Sequence, residues 1–317
     1  MWTKAYGPAL SLPIYRKLAS IFCTRIADSR LRADLEEACD KFLQGEQQRL
    51  LNFKIDYEAH SVADVIAARQ VLALFQKNTE FVLDERELEK AAYAKFRAAE
   101  AQCLSTDARF YADVPATDKP HLISALFKAQ RLMARMLGPC PTIDKLPLRF
   151  GPGSTVTVDK QHGTVQAKLA DVPSCSQALA HSPRLPEFLR SIPHWLDCHQ
   201  KAEYVDDEGY LVARLDIEVQ PSELQFVPKK VDSLRSIIKQ PTLNTMLQCG
   251  IGDYMVSRLK GFGVDLSDQT IQQKRARKGS IDGSLATLDL SSASDTISYW
   301  LVKFLLPREW FELLSMA

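Results

Sequence analysis

Through the first 140 positions the apolar residues recur every three or four residues. Past the cluster Cys140-Pro141, Pro147 and Gly151-Pro152-Gly153 that rhythm gives way to alternation. A 3.6-residue rhythm commits a segment to amphipathic helix and a period of two commits it to strand. The chain therefore reads as α+β, with a helical N-terminal part and a boundary near residue 145. Leu31, Leu35, Cys39, Phe42 and Leu43 predict a helix over 29–50. Ser61, with Asp64 three residues on, predicts a capped start to a second, whose buried stripe is Val62, Val65, Ile66, Leu72 and Phe75. The acidic cluster Asp84, Glu85 and Glu87 opens a third, where the helix dipole favours carboxylates. A fourth, over 121–137, stops at Gly138, and Phe127, Met133 and Met136 are predicted core.

Beyond the boundary, residues 154–158, 210–212 and 215–219 read as strands, rich in β-branched and aromatic residues. Asp206-Asp207-Glu208-Gly209 is explained by a hairpin turn. With Tyr204 it also resembles the Tyr-x-Asp-Asp turn of reverse transcriptases, which would matter only in a permuted polymerase. A helix follows Pro241, with Leu243, Met246, Leu247, Ile251, Tyr254 and Leu259 on one face and Gly261 at its close. Residues 285–290 read as a short buried strand, and Ile297, Trp300, Leu301, Phe304 and Leu305 as the stripe of a helix after it. Asp289 then sits at a strand end and Asp295 at a helix start.

With 317 residues, 46% hydrophobic and 25% charged, the chain can bury the cores of two domains. Its net charge is only +1, so any electrostatic footprint must be local. Residues 226–280 hold ten Lys or Arg against four Asp, a net of 10 − 4 = +6, and the rest of the chain sums to 1 − 6 = −5. A solvated helical face is the plain account of such a run. Seven cysteines, odd in number and without a C-x-x-C pair, suit a reducing compartment. His194, Cys198 and His199 lack the second ligand pair of a zinc site. Pro8 and Pro13 interrupt the one stretch resembling a signal peptide, and no run approaches the ~20 apolar residues of a membrane span. Gly151-Pro152-Gly153-Ser154-Thr155 lacks the lysine of a phosphate-binding loop.

Two carboxylates bracketing a small-residue loop suit divalent-cation chemistry, because Mg²⁺ is typically held by one or two carboxylates together with phosphate oxygens. A helix cap at Asp295 and a turn acid at Asp289 remain the ordinary alternative. Upstream, Lys229, Lys230 and Arg235 are placed to clamp a triphosphate, against the alternative of a hairpin with solvated cations.

Five segments occur in a telling order: Phe150-Gly151-Pro152-Gly153-Ser154-Thr155, Phe226-Val227-Pro228-Lys229 with Arg235, 263–271, 285–295 and Pro307-Arg308-Glu309-Trp310-Phe311-Glu312. In this order they resemble the replicase β-subunit family of leviviruses, over roughly residues 146 to 312. The resemblance implies a right-hand RNA-directed RNA polymerase, with a helical region over 1–145, fingers over 146–280 and the start of the palm over 281–317. It implies Asp289 as a catalytic Mg²⁺ ligand, with Mn²⁺ as a substitute, and Asp295 as the second catalytic carboxylate beside the incoming ribose. It implies Lys229, Lys230 and Arg235 as the nucleotide-binding cations, although Asp232 and Gln240 depart from the family's pattern. RNA template, nascent RNA and ribonucleoside triphosphates are the implied ligands. Host elongation factors Tu and Ts and a ribosomal protein are the implied partners, in the cytoplasm of the bacterial host cell and not at a membrane. The family also needs a Gly-Asp-Asp turn, which these 317 residues do not contain. The expectation is thus a polymerase lacking its thumb and most of its palm, or alternatively a non-catalytic RNA-binding or partner-binding fragment.

Overall fold

The computed structural model describes residues 7–78, 85–111, 115–209, 211–286, 288 and 290–317. Asp84, Tyr210 and Asp289 lie outside the described residues. In chain order the helices of the N-terminal part are α1 (Gly7–Cys23), α2 (Ser29–Leu43), α3 (Gln48–Leu51), α4 (Val62–Gln76), α5 (Glu85–Phe110) and α6 (Pro120–Leu137). Then come α7 (Val165–Ala170), β1 (Ser174–Cys175), α8 (Gln177–Ala180), α9 (Leu185–Arg190), α10 (Pro193–His199), β2 (Lys201–Val205), β3 (Leu211–Arg214) and β4 (Glu218–Val219). The chain continues through β5 (Glu223–Lys230), β6 (Ser233–Lys239), α11 (Thr242–Gly261), α12 (Thr270–Asp282), α13 (Tyr299–Leu305) and α14 (Arg308–Met316). The architecture is mixed, helix-rich with small sheets, as the change of rhythm predicts.

Contacts divide the chain into two compact units. The first comprises Met1–Phe96 with Gln225–Ile237. Its core joins Ile26, Leu35, Phe42, Val71 and Phe75, and Val231 from the distant segment belongs to the same cluster. Ser61 caps α4 as expected, its hydroxyl accepting from the Asp64 amide at 3.2 Å. The buried face matches the expected one at Leu72 and Phe75, with Val65 packed against the core, and differs at Val62 and Ile66. Val62 is 77% and Ile66 54% exposed, while Asp64, Ala67, Ala68, Val71, Leu72 and Phe75 turn inward. Small alanines let α4 approach its neighbours closely, and Asp64 is tolerated inside because Ala27 N–H (2.5 Å) and Ser61 Oγ (2.8 Å) both donate to it. The helix expected over 29–50 stops at Leu43: the amide of Gln44 closes onto Asp40 and Lys41, and Gly45 takes φ +98°, a left-handed conformation that ends the run.

The second unit comprises Arg97–Leu224 and Ile238–Ala317. Its core is built on α11, whose Leu243, Leu247 and Ile251 pack with Phe188, Leu179, Trp310 and Leu313. Trp310 Nε1 donates to the Gly138 carbonyl at 2.9 Å, so the residue that ends α6 also satisfies a buried indole. Among the described residues the sheets are two-stranded pairs: β1 with β4 in parallel, β2 with β3 antiparallel, and β5 with β6. The turn between β2 and β3 is the predicted one, with Gly209 at φ +86° and its amide on the Asp206 carbonyl at 3.0 Å.

Three expected strands need correction. Residues 154–158 form a loop turned on itself, because the Thr155 amide donates to the Val158 carbonyl and Thr155 Oγ1 accepts from the Val158 amide. Of residues 215–219, only Glu218–Val219 pairs as strand. Around 285–290 no described residue is in a strand, and Leu285, Leu288 and Leu290 are exposed, Leu288 at 87%. No described strand runs beside them to receive their backbone groups or to cover their side chains.

Candidate functional site

The predicted site residues fall in both units, and each group is described within its own. In the first unit the hairpin of β5 and β6 carries Lys229, Lys230 and Arg235. Lys229 and Lys230 are exposed at the end of β5 beside the turn, and Arg235 is exposed on β6. Two contacts fix the hairpin. Val231 is fully buried in the helical core, with its amide donating to the Gln76 carbonyl at the end of α4 (3.0 Å). Phe226 meets Tyr93 of α5 edge-on at 6.5 Å between centroids. Among the described residues Lys229, Lys230 and Arg235 make no ion pair, so a rigidly held hairpin presents three uncompensated cations to solvent.

In the second unit lies Asp295. It occupies a tight turn in which Ser292 takes φ +51° and its carbonyl accepts both the Thr296 amide (3.1 Å) and Thr296 Oγ1 (3.0 Å). The carboxylate is exposed and, among the described residues, hydrogen-bonded by its neighbour Ser294 Oγ at 3.2 Å. Asp295 does not cap the following helix, which is a correction to the helix-cap alternative. α13 begins four residues later, and its Trp300 amide is satisfied by Asp107 of α5 at 2.8 Å. The Cys103 thiol, one turn earlier on α5, donates to the Asp295 carbonyl at 3.4 Å. Burial, ahead of the charges of Glu100, Asp107 and Asp295, pushes that thiol's pKa up and keeps it a donor. Phe110 against Phe304 (5.3 Å) and Tyr111 against Trp300 (4.9 Å) complete the bracing. The turn thus rests on α5, with the Asp295 carboxylate exposed to solvent.

The Gly151-Pro152-Gly153 loop is held from inside. Lys168 of α7, 1% exposed, donates from Nζ to the Gly151 carbonyl at 2.6 Å, and burial lowers its pKa. A side chain at position 151 would press on Cys249 Sγ at 3.0 Å. Asn244 is structural: fully buried, it receives the Ser176 amide at 2.7 Å. Cys103, Asp107, Lys168 and Val231 were not singled out by the sequence. No local pattern marks them, since their partners lie from 17 residues away, for Lys168, to 193, for Asp107.

Among the described residues no three His, Cys, Asp or Glu side chains converge to hold a metal ion. Asp295 is therefore one described carboxylate, and the metal ligand the sequence points to, Asp289, stands outside that set. No described helix is long and apolar enough to cross a membrane.

The second unit thus holds a turn-borne carboxylate braced by a helix, the first a pinned hairpin with exposed cations, and comparison with known sequences gives the family. The chain belongs to the RNA replicase, beta-chain family, whose profile matches residues 55–317. Among its relatives is the RNA-directed RNA polymerase subunit beta of Escherichia virus Qbeta, 34% identical over 230 residues, covering 71% of this chain and 36% of that relative. The RNA-directed RNA polymerase beta chain of Enterobacteria phage fr is 52% identical over 90 residues, and that of Escherichia phage MS2 51% over 89, each covering 28% of this chain and 16% of the relative. The chain spans about a third of the length of the Qbeta relative it matches.

Proposed function

We propose that the chain serves template-directed RNA synthesis, in which a nascent RNA 3′-hydroxyl attacks the α-phosphate of a ribonucleoside triphosphate and pyrophosphate leaves. Lys229, Lys230 and Arg235 bind the triphosphate, and the observation that carries this reading is their unpaired exposure on a hairpin pinned through Val231. Fixed cations need no reorganisation as charge builds on the transferring phosphate. Asp295 accepts a hydrogen bond from the ribose 2′-hydroxyl; its exposed carboxylate on a braced turn supports that role. Asp289 would hold Mg²⁺, or Mn²⁺ in its place, and the ion when bound would neutralise charge at the phosphate.

In this reading residues 146–280 are the fingers of a right-hand polymerase and 281–317 the start of its palm, with 1–145 as a helical support. RNA template and product are its ligands. Elongation factors Tu and Ts, a ribosomal protein and the bacterial cytoplasm follow from the family resemblance. These 317 residues contain no Gly-Asp-Asp, which favours RNA binding without nucleotide addition when they are taken alone.

Primer extension tests the proposal in a chain continued through a Gly-Asp-Asp hairpin. Arg235→Ala raises the nucleotide KM roughly tenfold, the loss of about one charge-assisted hydrogen bond. Asp295→Asn lowers the ratio of ribo- to deoxynucleotide incorporation. Unchanged KM and kcat in the first, together with an unchanged ratio in the second, would overturn the assignment.

A further inference from the structure

Within the second unit, helix α12 is anomalous. None of its thirteen residues is buried. Lys274, Arg275, Arg277 and Lys278 are all exposed, and among the described residues none of them makes an ion pair. Lys274 and Lys278 are one turn apart, as like charges at i and i+4, and Arg277 stands three residues from Lys274, so the helix repels itself. Its carboxylate, Asp282, lies at the far end and is taken up by the Ser284 amide and hydroxyl at 2.9 and 2.6 Å. Isolated helices of about this length are marginal in water, and a helix polar all round needs side-chain ion pairs or a partner. Among the described residues α12 has no such pair. At Gly279 the chain following α12 folds back so closely that a side chain there would collide with the Leu285 carbonyl. Beside Arg275 lies a hollow of about 340 Å³, lined also by Gln272, Ala276, Leu285, Ala286 and Leu288.

We infer that α12 is a docking strip for the phosphate backbone of single-stranded RNA. The inference rests on the polymerase reading above and assigns to it residues outside the hairpin and the Asp295 turn. A polyanion relieves the mutual repulsion of four cations and fixes a helix none of whose residues is buried. Arg275, at the edge of the hollow, adds a guanidinium plane on which a splayed base can stack, with Leu285 and Leu288 as an apolar wall. An acidic protein surface is the competing occupant. It matches the charge, but a single strand couples every charge to a planar base, and the hollow beside Arg275 suits that repeat.

The test measures binding of the 317-residue chain to a fluorescein-labelled 20-nucleotide oligouridylate by anisotropy across a salt series. The parent is compared with a variant carrying Lys274→Gln, Arg275→Gln, Arg277→Gln and Lys278→Gln. Glutamine preserves helix propensity, and circular dichroism checks that helix content is unchanged. A control removes four exposed cations elsewhere in the same unit: Arg109→Gln, Lys119→Gln, Lys128→Gln and Arg131→Gln. Counterion release from single strands contributes about 0.7 to the log–log salt slope per phosphate contact, so the α12 variant should flatten the slope by ~2 to 3, with affinity falling at least about tenfold near 0.1 M salt. The control should leave the slope within about 1 of the parent. Equal losses in control and variant overturn the inference in favour of bulk charge. Poly-glutamate competing as well as RNA, charge for charge, overturns it in favour of an acidic protein. A parent that binds RNA with a slope the α12 variant does not change defeats α12 alone, whereas a parent that binds no RNA at any salt defeats this inference and the polymerase reading together.

Discussion

Replacing Lys168 separates packing from charge in the loop that holds Gly151. The side chain is 1% exposed and its ammonium donates to the Gly151 carbonyl at 2.6 Å. Lys168→Met keeps most of the aliphatic stem. It loses a charged hydrogen bond of about 1.5–3 kcal/mol but removes an ammonium whose burial costs several kcal/mol. The two oppose each other, so the methionine variant should lie within about 1 kcal/mol of the parent at neutral pH. Lys168→Ala also removes about three methylene groups from a closed site, and at ~0.8 kcal/mol each it should be less stable than the methionine variant by roughly 2–3 kcal/mol. The pH dependence follows from burial, which lowers the folded-state pKa below its ordinary 10.5. Between the lowered value and 10.5 the unfolded chain binds more protons than the folded one, so parent stability gains with rising pH in that window. Below the window the full desolvation cost is present. The methionine variant lacks this gain, and the parent should overtake it as the solution becomes alkaline. Urea unfolding followed by tryptophan fluorescence is the assay, since Trp195, Trp300 and Trp310 all lie in the second unit. A parent and a methionine variant that change in parallel from pH 7.5 to 10.5 would refute the reasoning, as would an alanine variant equal to methionine.

Val231→Ala should cost about 1.5–2 kcal/mol, two methylene equivalents, and speed amide exchange along the β5–β6 hairpin; exchange at the parental rate would mean that Val231 does not pin it. Gly279→Ala, which at an open helical position would gain about 1 kcal/mol, should instead destabilise the second unit because the methyl meets the Leu285 carbonyl; a raised Tm would contradict the close approach. Asp107→Ala should cost about 1 kcal/mol by stripping the Trp300 amide of its partner, and Asp107→Asn should recover most of it; equal Tm values for parent and alanine would show that α13 starts without this contact.

Much of this protein is legible along the chain because its cause is local. The start of α4 at Ser61, the end of α6 at Gly138 and the turn at Gly209 each follow from one or two residues acting on their own backbone. The order of five short segments likewise carried the family, since it depends only on sequence. Burial on α4 was not legible: Val62 and Ile66 are as apolar as Val71, and only the neighbouring helices decide which stripe they cover. The loop at 154–158 has strand-forming residues, yet Thr155 closes its own turn with Val158 and, of the loop's amides, only that of Val156 reaches another segment among the described residues, at the Gln240 carbonyl. The candidate site divides the same way. Lys229, Lys230, Arg235 and Asp295 announce themselves by charge and spacing, whereas what makes them usable lies elsewhere in the chain. Val231 finds its core beside α4, and Cys103 and Asp107 hold a turn 192 and 193 residues away. Contacts at such separations depend on how packed surfaces fit one another, and that is decided only when the tertiary structure forms.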